Sequence, residues 1–259
     1  LELVDFNQTI DALPKSLQKL KLSCYTFNGM LNNLPEDLEI LILQNFTTFN
    51  NSLDYLPLSL KKLKIINCHS FNQPIDYLPS TLKSLQFNCY SDFNQTFDCL
   101  PESLTSLKIG FNAYNFPIDN LPESLEILKI SCLKFNQQMD NLPPKLKLLE
   151  IKSGNFDQDL TKLPLYLNSL TLISGPFCGS LDELPHSLQK LKLKDLYHFN
   201  QPLDHLPLKL TELKLKNCFC FDRPLDYLPI TLEKLKIKSL TFNQSLNHLP
   251  DTLNILKLE

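Results

Sequence analysis

The chain has 259 residues and 29.9 kDa, with 25 basic and 28 acidic residues giving a net charge of −3; that length suits one large domain or two ordinary ones. At 43% hydrophobic and 20% charged residues it can bury a substantial core, which excludes a disordered chain, and its balance excludes a strongly basic nucleic-acid binder. No run of 18 apolar residues predicts a membrane span, and five glycines are too few for glycine-rich phosphate loops.

Eighteen prolines are many, and their placement organises the chain. Leu-Pro recurs at Pro14, Pro35, Pro57, Pro79, Pro101, Pro122, Pro143, Pro164, Pro185, Pro207, Pro229 and Pro250, always 21 or 22 residues apart. Such a period marks a stacked solenoid. Leu stands three and six residues after every one of these prolines, and Leu, Ile or Phe87 stands eight after. Phe stands eight before in eleven copies, with Tyr114 in the twelfth.

The Leu-x-Leu step has a period of two, so residues five to nine after each proline are expected to form a short strand. The first after a Leu-Pro is 19–23, the next 40–44, and so on to 255–259. Residues six and eight should point inward, and five, seven and nine outward. Strands at this spacing can stack only as a parallel sheet, about 4.8 Å apart. About a dozen residues remain for each return, too few for a full helix, so turns, extended pieces and 3₁₀ turns are expected there. The domain reading is a single solenoid over 1–259 of about twelve repeats, beginning at Leu1-Glu2-Leu3 and ending at Leu256–Glu259 within a repeat. Neither end resembles a secretory signal, and the chain does not start with Met, so it reads as a mature piece. Bare solenoid ends expose apolar surface and unpaired backbone; flanking sequence, end-to-end homodimerisation or exchange of end repeats would each cover them.

The pattern resembles leucine-rich repeats through Leu17-Gln-Lys-Leu20-Lys-Leu22. More closely it resembles the FNIP class, through Phe71-Asn72-Gln73-Pro74-Ile75-Asp76 and Phe199-Asn200-Gln201-Pro202-Leu203-Asp204. The resemblance covers essentially the whole chain. It implies an α/β-type leucine-rich-repeat solenoid with the parallel β-sheet on its concave face, a stacked phenylalanine spine and a role in protein binding. Such proteins occur in social amoebae and giant viruses, some behind an F-box. Two repeats depart from the pattern, at Tyr114-Asn115-Phe116 and Phe177-Cys178-Gly179, where irregular turns are expected.

The Asn after each Phe carries donor and acceptor and is expected to satisfy buried turn backbone, with Asp157 and Asp222 making slightly different turns. Ser or Thr two residues after the proline is expected to bond the backbone of its own turn. Asp three before the proline, in nine copies, reads as an Asx-turn acceptor rather than a calcium or catalytic site. The eight cysteines form no CxxC pair and read as reduced core residues. Asn-x-Ser/Thr sequons begin at Asn7, Asn45, Asn50, Asn94 and Asn243; four use the structural Asn, where a glycan would disrupt the core. Both arguments point to a cytoplasmic protein. No catalytic motif, cofactor fingerprint or metal-ligand spacing is present, so neither an enzyme nor a cofactor is expected.

Charge is sorted by face. Positions five, seven and nine hold 16 of the 24 lysines and only Glu150, Glu212 and Glu259 as acids, a formal +13. The concentration lies near the C-terminus, at Lys190, Lys192, Lys194, Lys214, Lys216, Lys234, Lys236, Lys238 and Lys257. This face reads either as a solvated surface or as a site for an acidic protein partner, and reversing Lys192, Lys214 and Lys236 is expected to leave the fold intact. The resemblance adds a second reading, the substrate-recognition part of an F-box ubiquitin-ligase adaptor. Polyanion binding is a third, but a single Arg, Arg223, and no aromatic interleaving make nucleic-acid readout the weakest.

Overall fold

A computed structural model describes residues 6, 8–89 and 91–259. The start of the chain at Leu1-Glu2-Leu3 and the sequon at Asn7 lie outside the described residues. The chain divides into two compact units, Leu1–Cys132 and Leu133–Glu259. The first holds β1 (Lys19–Ser23), β2 (Ile40–Gln44), β3 (Lys62–Ile66), β4 (Ser84–Asn88), β5 (Ser106–Gly110) and β6 (Ile127–Ser131). The second holds β7 (Leu148–Lys152), β8 (Ser169–Ile173), β9 (Lys190–Lys194), β10 (Glu212–Lys216), β11 (Lys234–Lys238) and β12 (Ile255–Leu258). Within each unit consecutive strands pair in parallel and in register, position for position after the proline, as in Lys19↔Ile40 and Lys190↔Glu212↔Lys234.

Each unit is thus a parallel β-solenoid, and its strands alternate as the Leu-x-Leu step requires, except β12 at the end of the sheet, where Leu256 and Leu258 are exposed. Leu20 and Leu22, or Leu191 and Leu193, are buried while their neighbours stay half-buried or exposed. The invariant Leu three after the proline is also buried from Leu38 to Leu232 and half-buried at Leu17 and Leu253, and its N–H closes a four-residue turn. Leu17 donates to the Pro14 carbonyl at 3.0 Å, and the same bond recurs in all twelve repeats. No helix, α or 3₁₀, occurs among the described residues, so the expected α/β class and 3₁₀ segments give way to strands, turns and extended chain. The reason is competition for donors. The next two N–H groups, such as those of Glu39 and Ile40, both reach the Gln18 carbonyl of the preceding repeat, so no second i→i+3 bond can follow.

The phenylalanines stack as expected. In the first unit neighbouring ladder rings from Phe6 through Phe27, Phe49, Phe71 and Phe93 to Tyr114 lie 5.8–6.5 Å apart, with interplanar angles of 13–26°. Phe135, Phe156 and Phe177 stack likewise in the second unit, as do Phe199, Phe221 and Phe242. Against the first ladder pack Phe87, at the inward position eight after its proline, and Phe46, Phe97 and Phe111, which the sequence reading did not place. Tyr114 is fully buried and its hydroxyl makes no hydrogen bond among the described residues.

Polar side chains act between repeats. Ser59 donates to the carbonyl of Leu38, Ser103 to Leu82, Ser124 to Leu104 and Ser187 to Leu167, at 2.7–2.8 Å. These hydroxyls therefore staple one turn to the preceding one, not to its own backbone. Asn50 accepts from the Asn72 N–H and Asn72 from the Asn94 N–H, at 2.8 and 3.0 Å. It is the carboxamide oxygen that accepts here, so Asp222 takes the Asn243 N–H at 2.9 Å in the same way and its turn is not different. These asparagines are exposed or half-buried, so a glycan on Asn50, Asn94 or Asn243 would not enter the core, and the sequon argument falls. The Asp row also reaches to the following repeat: Asp11 accepts from Asn33, and Asp140 from Lys162. All eight cysteines are free; five are buried, but Cys99, Cys178 and Cys220 are exposed.

The alternation of 21 and 22 residues has a structural origin. Asn45, Asn67, Asp195 and Asn217 have φ of 54–62° and follow the last residue of a strand in four of the five 22-residue intervals. A left-handed residue here turns the chain so that the next side chain, Phe46, Cys68, Leu196 or Cys218, enters the core. In shorter repeats the residue after the strand itself turns inward, buried at Ser153 and Ser174 and half-buried at Ser239. Ser153, Ser174 and Ser239 there donate to the carbonyls of Phe135, Phe156 and Phe221.

Candidate functional site: a lysine face on β9–β12

The outward positions of β9–β12 bring the predicted lysines into rows. The middle row runs Lys192↔Lys214↔Lys236↔Lys257 without interruption. Beside it runs Lys194↔Lys216↔Lys238, and on the other side Lys190↔Glu212↔Lys234. Parallel strands set neighbours in a row about 4.8 Å apart at the backbone. The corresponding row of the first unit is diluted, with Ile42 between Lys21 and Lys64, and Gln86 between Lys64 and Lys108. Even so, burial and the ammonium groups of Lys62 and Lys108 hold Lys64 below the usual lysine range.

Five of the nine lysines already hold carboxylates. Glu212, only 9% exposed, pairs with Lys214 and lies 3.8 Å from Lys192. Burial would push its carboxyl up, but the Lys214 hydrogen bond and the charges of Lys192, Lys214 and Lys190 outweigh it and hold Glu212 below the usual glutamate range. Glu259 pairs with Lys257 and lies 3.8 Å from Lys238; the hydrogen bond and charge of Lys257 hold it low as well. Lys194 pairs with Asp195 at 3.4 Å. Lys190, Lys216, Lys234 and Lys236 make no ion pair among the described residues, although Lys190 lies in the field of Glu212 and Lys216 in that of Glu259. Reversing Lys192 and Lys214 would therefore surround a nearly buried carboxylate with like charge, so that triple change would not leave the fold untouched.

A depression of about 290 Å³ opens on this face, lined by Lys214, Lys216, Lys236, Lys238, Lys257 and Glu259. Arg223 lies elsewhere, on the return segment after β10, donating from Nε to the Asn200 carbonyl at 2.8 Å. Where the strands end, a column of apolar side chains that the sequence pattern did not announce borders the outermost lysine row. Tyr197 stacks on Phe219 at 5.6 Å and 17°, and Leu240 follows one repeat on. Tyr197 is 46% exposed and Leu240 80%. Its sequence signal is faint, because the same position holds Gly154 and Gly175 in earlier repeats. Among the described residues no group of three or more His, Cys, Asp and Glu is placed to hold a metal ion, and no helix is long and apolar enough to cross a membrane.

Parallel in-register strands, buried Leu-x-Leu steps and short helix-free returns define a leucine-rich-repeat-like β-solenoid, a fold typical of protein-interaction scaffolds. Residues 93–133 match the FNIP Repeat family, and the other repeats are similar to that segment in their Phe, Leu-Pro and Leu-x-Leu spacing. Over 96% of its length it is similar to CroV588, a circular leucine-rich-repeat protein of a giant virus, at 32% identity and a TM-score of 0.78. It is also similar in fold to YopM from Yersinia enterocolitica, over 95% of its length at 22% identity and a TM-score of 0.55. The chain spans 37% of the first of these proteins and 56% of the second. No curated protein matches it.

Proposed function

We propose that this chain is a single non-enzymatic protein-binding module whose strand face on β9–β12 takes an acidic segment of a partner protein. The observation that carries this reading is the uninterrupted row Lys192, Lys214, Lys236 and Lys257. Like charges on adjacent strands destabilise one another by a few tenths of a kcal/mol to about 1 kcal/mol per pair, and these side chains contribute nothing to the core. The ligand chemistry is indicated by the chain itself, because Glu212 and Glu259 each collect two lysines of this face. A carboxylate from outside would do the same at Lys216, Lys234 and Lys236. Arg223 is absent from the face, which disfavours bidentate contacts to phosphate or bases and favours protein carboxylates over nucleic acid.

The test is a poly-glutamate peptide titrated against the wild type and against Lys216→Gln/Lys234→Gln/Lys236→Gln, which removes charge without placing a carboxylate opposite Glu212. These three lysines hold no internal carboxylate, so circular dichroism should be unchanged. Binding should be strongest at low salt and fall roughly tenfold or more in the triple variant. Equal binding by both proteins at low salt, or tighter binding of a DNA oligonucleotide matched in charge, would overturn the reading.

A further inference from the structure

We propose that the segment bound here is an acidic amphipathic α-helix lying across β9–β11, perpendicular to the strands. This rests on the lysine face being a binding site for acidic protein and goes further by naming the partner's conformation. Two surfaces meet in the same three repeats. Lys194, Lys216 and Lys238 form the last outward row of the strands. Two or three residues further along the chain, Tyr197, Phe219 and Leu240 form the apolar column on the flank. A ligand that uses both must present carboxylates along one stripe and apolar groups along the adjoining one.

The spacing selects the helix. Successive repeats set lysines about 4.8 Å apart at the backbone, and the Tyr197 and Phe219 rings lie 5.6 Å apart. A helix rises about 1.5 Å per residue, so side chains at i, i+3 and i+4 are advanced by about 4.5–6 Å on one face. An extended strand places same-face side chains about 6.6–6.8 Å apart, which drifts out of step within three repeats.

The probes are three synthetic peptides of about 14 residues, long enough for ~20 Å of helix. One carries Glu and Leu on adjoining helical stripes, one has the same composition scrambled, and one is poly-glutamate. They are titrated against the wild type, Tyr197→Ser/Leu240→Ser and Lys216→Glu/Lys236→Glu. Both Tyr197 and Leu240 are well exposed, so the first variant should fold, which circular dichroism checks. The striped peptide should bind roughly tenfold more tightly than the scrambled one, gain helicity on binding, and lose roughly that factor in either variant. If poly-glutamate binds as tightly as the striped peptide and Tyr197→Ser/Leu240→Ser changes nothing, the helix inference is wrong while the acidic-partner reading stands. If no peptide binds at low salt, both fail.

Discussion

Replacing Phe71 by Ala tests whether the phenylalanine ladder holds the repeats together. Phe71 is fully buried, stacked between Phe49 at 5.8 Å and Phe93 at 6.4 Å, with the edge of Phe87 at 5.2 Å. Truncation removes an apolar ring whose transfer from water is worth about 2 kcal/mol. A residual cavity on the order of 80 Å³, at about 24 cal/mol per Å³, adds about 2 kcal/mol. The ring contacts themselves are worth some 0.5–1.5 kcal/mol per pair, and partial collapse of the cavity offsets part of that. The expected loss is about 3–5 kcal/mol, read from urea unfolding followed by far-ultraviolet circular dichroism. Phe116→Ala is the control: that ring is 37% exposed and should cost less than about 1 kcal/mol. A loss below about 1 kcal/mol for Phe71→Ala as well would place the ladder outside the cooperative core and refute the reasoning.

Tyr114→Phe should stabilise the first unit by about 1 kcal/mol, since it deletes a buried hydroxyl that makes no hydrogen bond. Burial, followed by the nearby Cys132 and Asp98, also pushes this phenol above the usual tyrosine range, so the wild type should show one tyrosine that resists alkaline titration and the variant should not. A melting temperature lowered by the change would show that the hydroxyl has a partner. Asn217 combines φ of 56° with a hydrogen bond to Asp195 at 2.6 Å. Both Asn217→Gly and Asn217→Ala lose the bond, but only Ala meets the left-handed strain, so Ala should be the less stable by about 1–2 kcal/mol in the same unfolding assay. Equal stabilities would mean the turn relaxes out of the left-handed region.

Repetition made most of the fold legible. One Leu-x-Leu step read alone fits a strand or a piece of helix, but twelve copies at 21 or 22 residues leave a parallel stack as the only way to bury them together. The strand limits, the inward leucines and the outward lysines follow from that period of two. The ladder of Phe6 to Tyr114 follows from the Phe at a constant distance from each proline. These are properties of a repeating unit, and they survive because every turn meets the same neighbours.

What the tertiary structure decided is what each turn does to the next. The sequence places Ser59 and Asn72 in a turn, yet only the stacking of repeats reveals that they bond the carbonyl of Leu38 and the carboxamide of Asn50. Likewise, Asn217 has the composition of a turn residue, but its left-handed φ arises because Cys218 must reach the core after one extra residue. The lysine face shows the same division. Composition put nine lysines on one side of the strands, but register alone shows that Glu212 sits among them and already holds Lys192 and Lys214. Tyr197, Phe219 and Leu240 become a column only when three repeats are laid side by side. Sequence period fixes which way a side chain points; which side chains then become neighbours depends on register between repeats, because a pairwise interaction belongs to two turns and is encoded in neither alone.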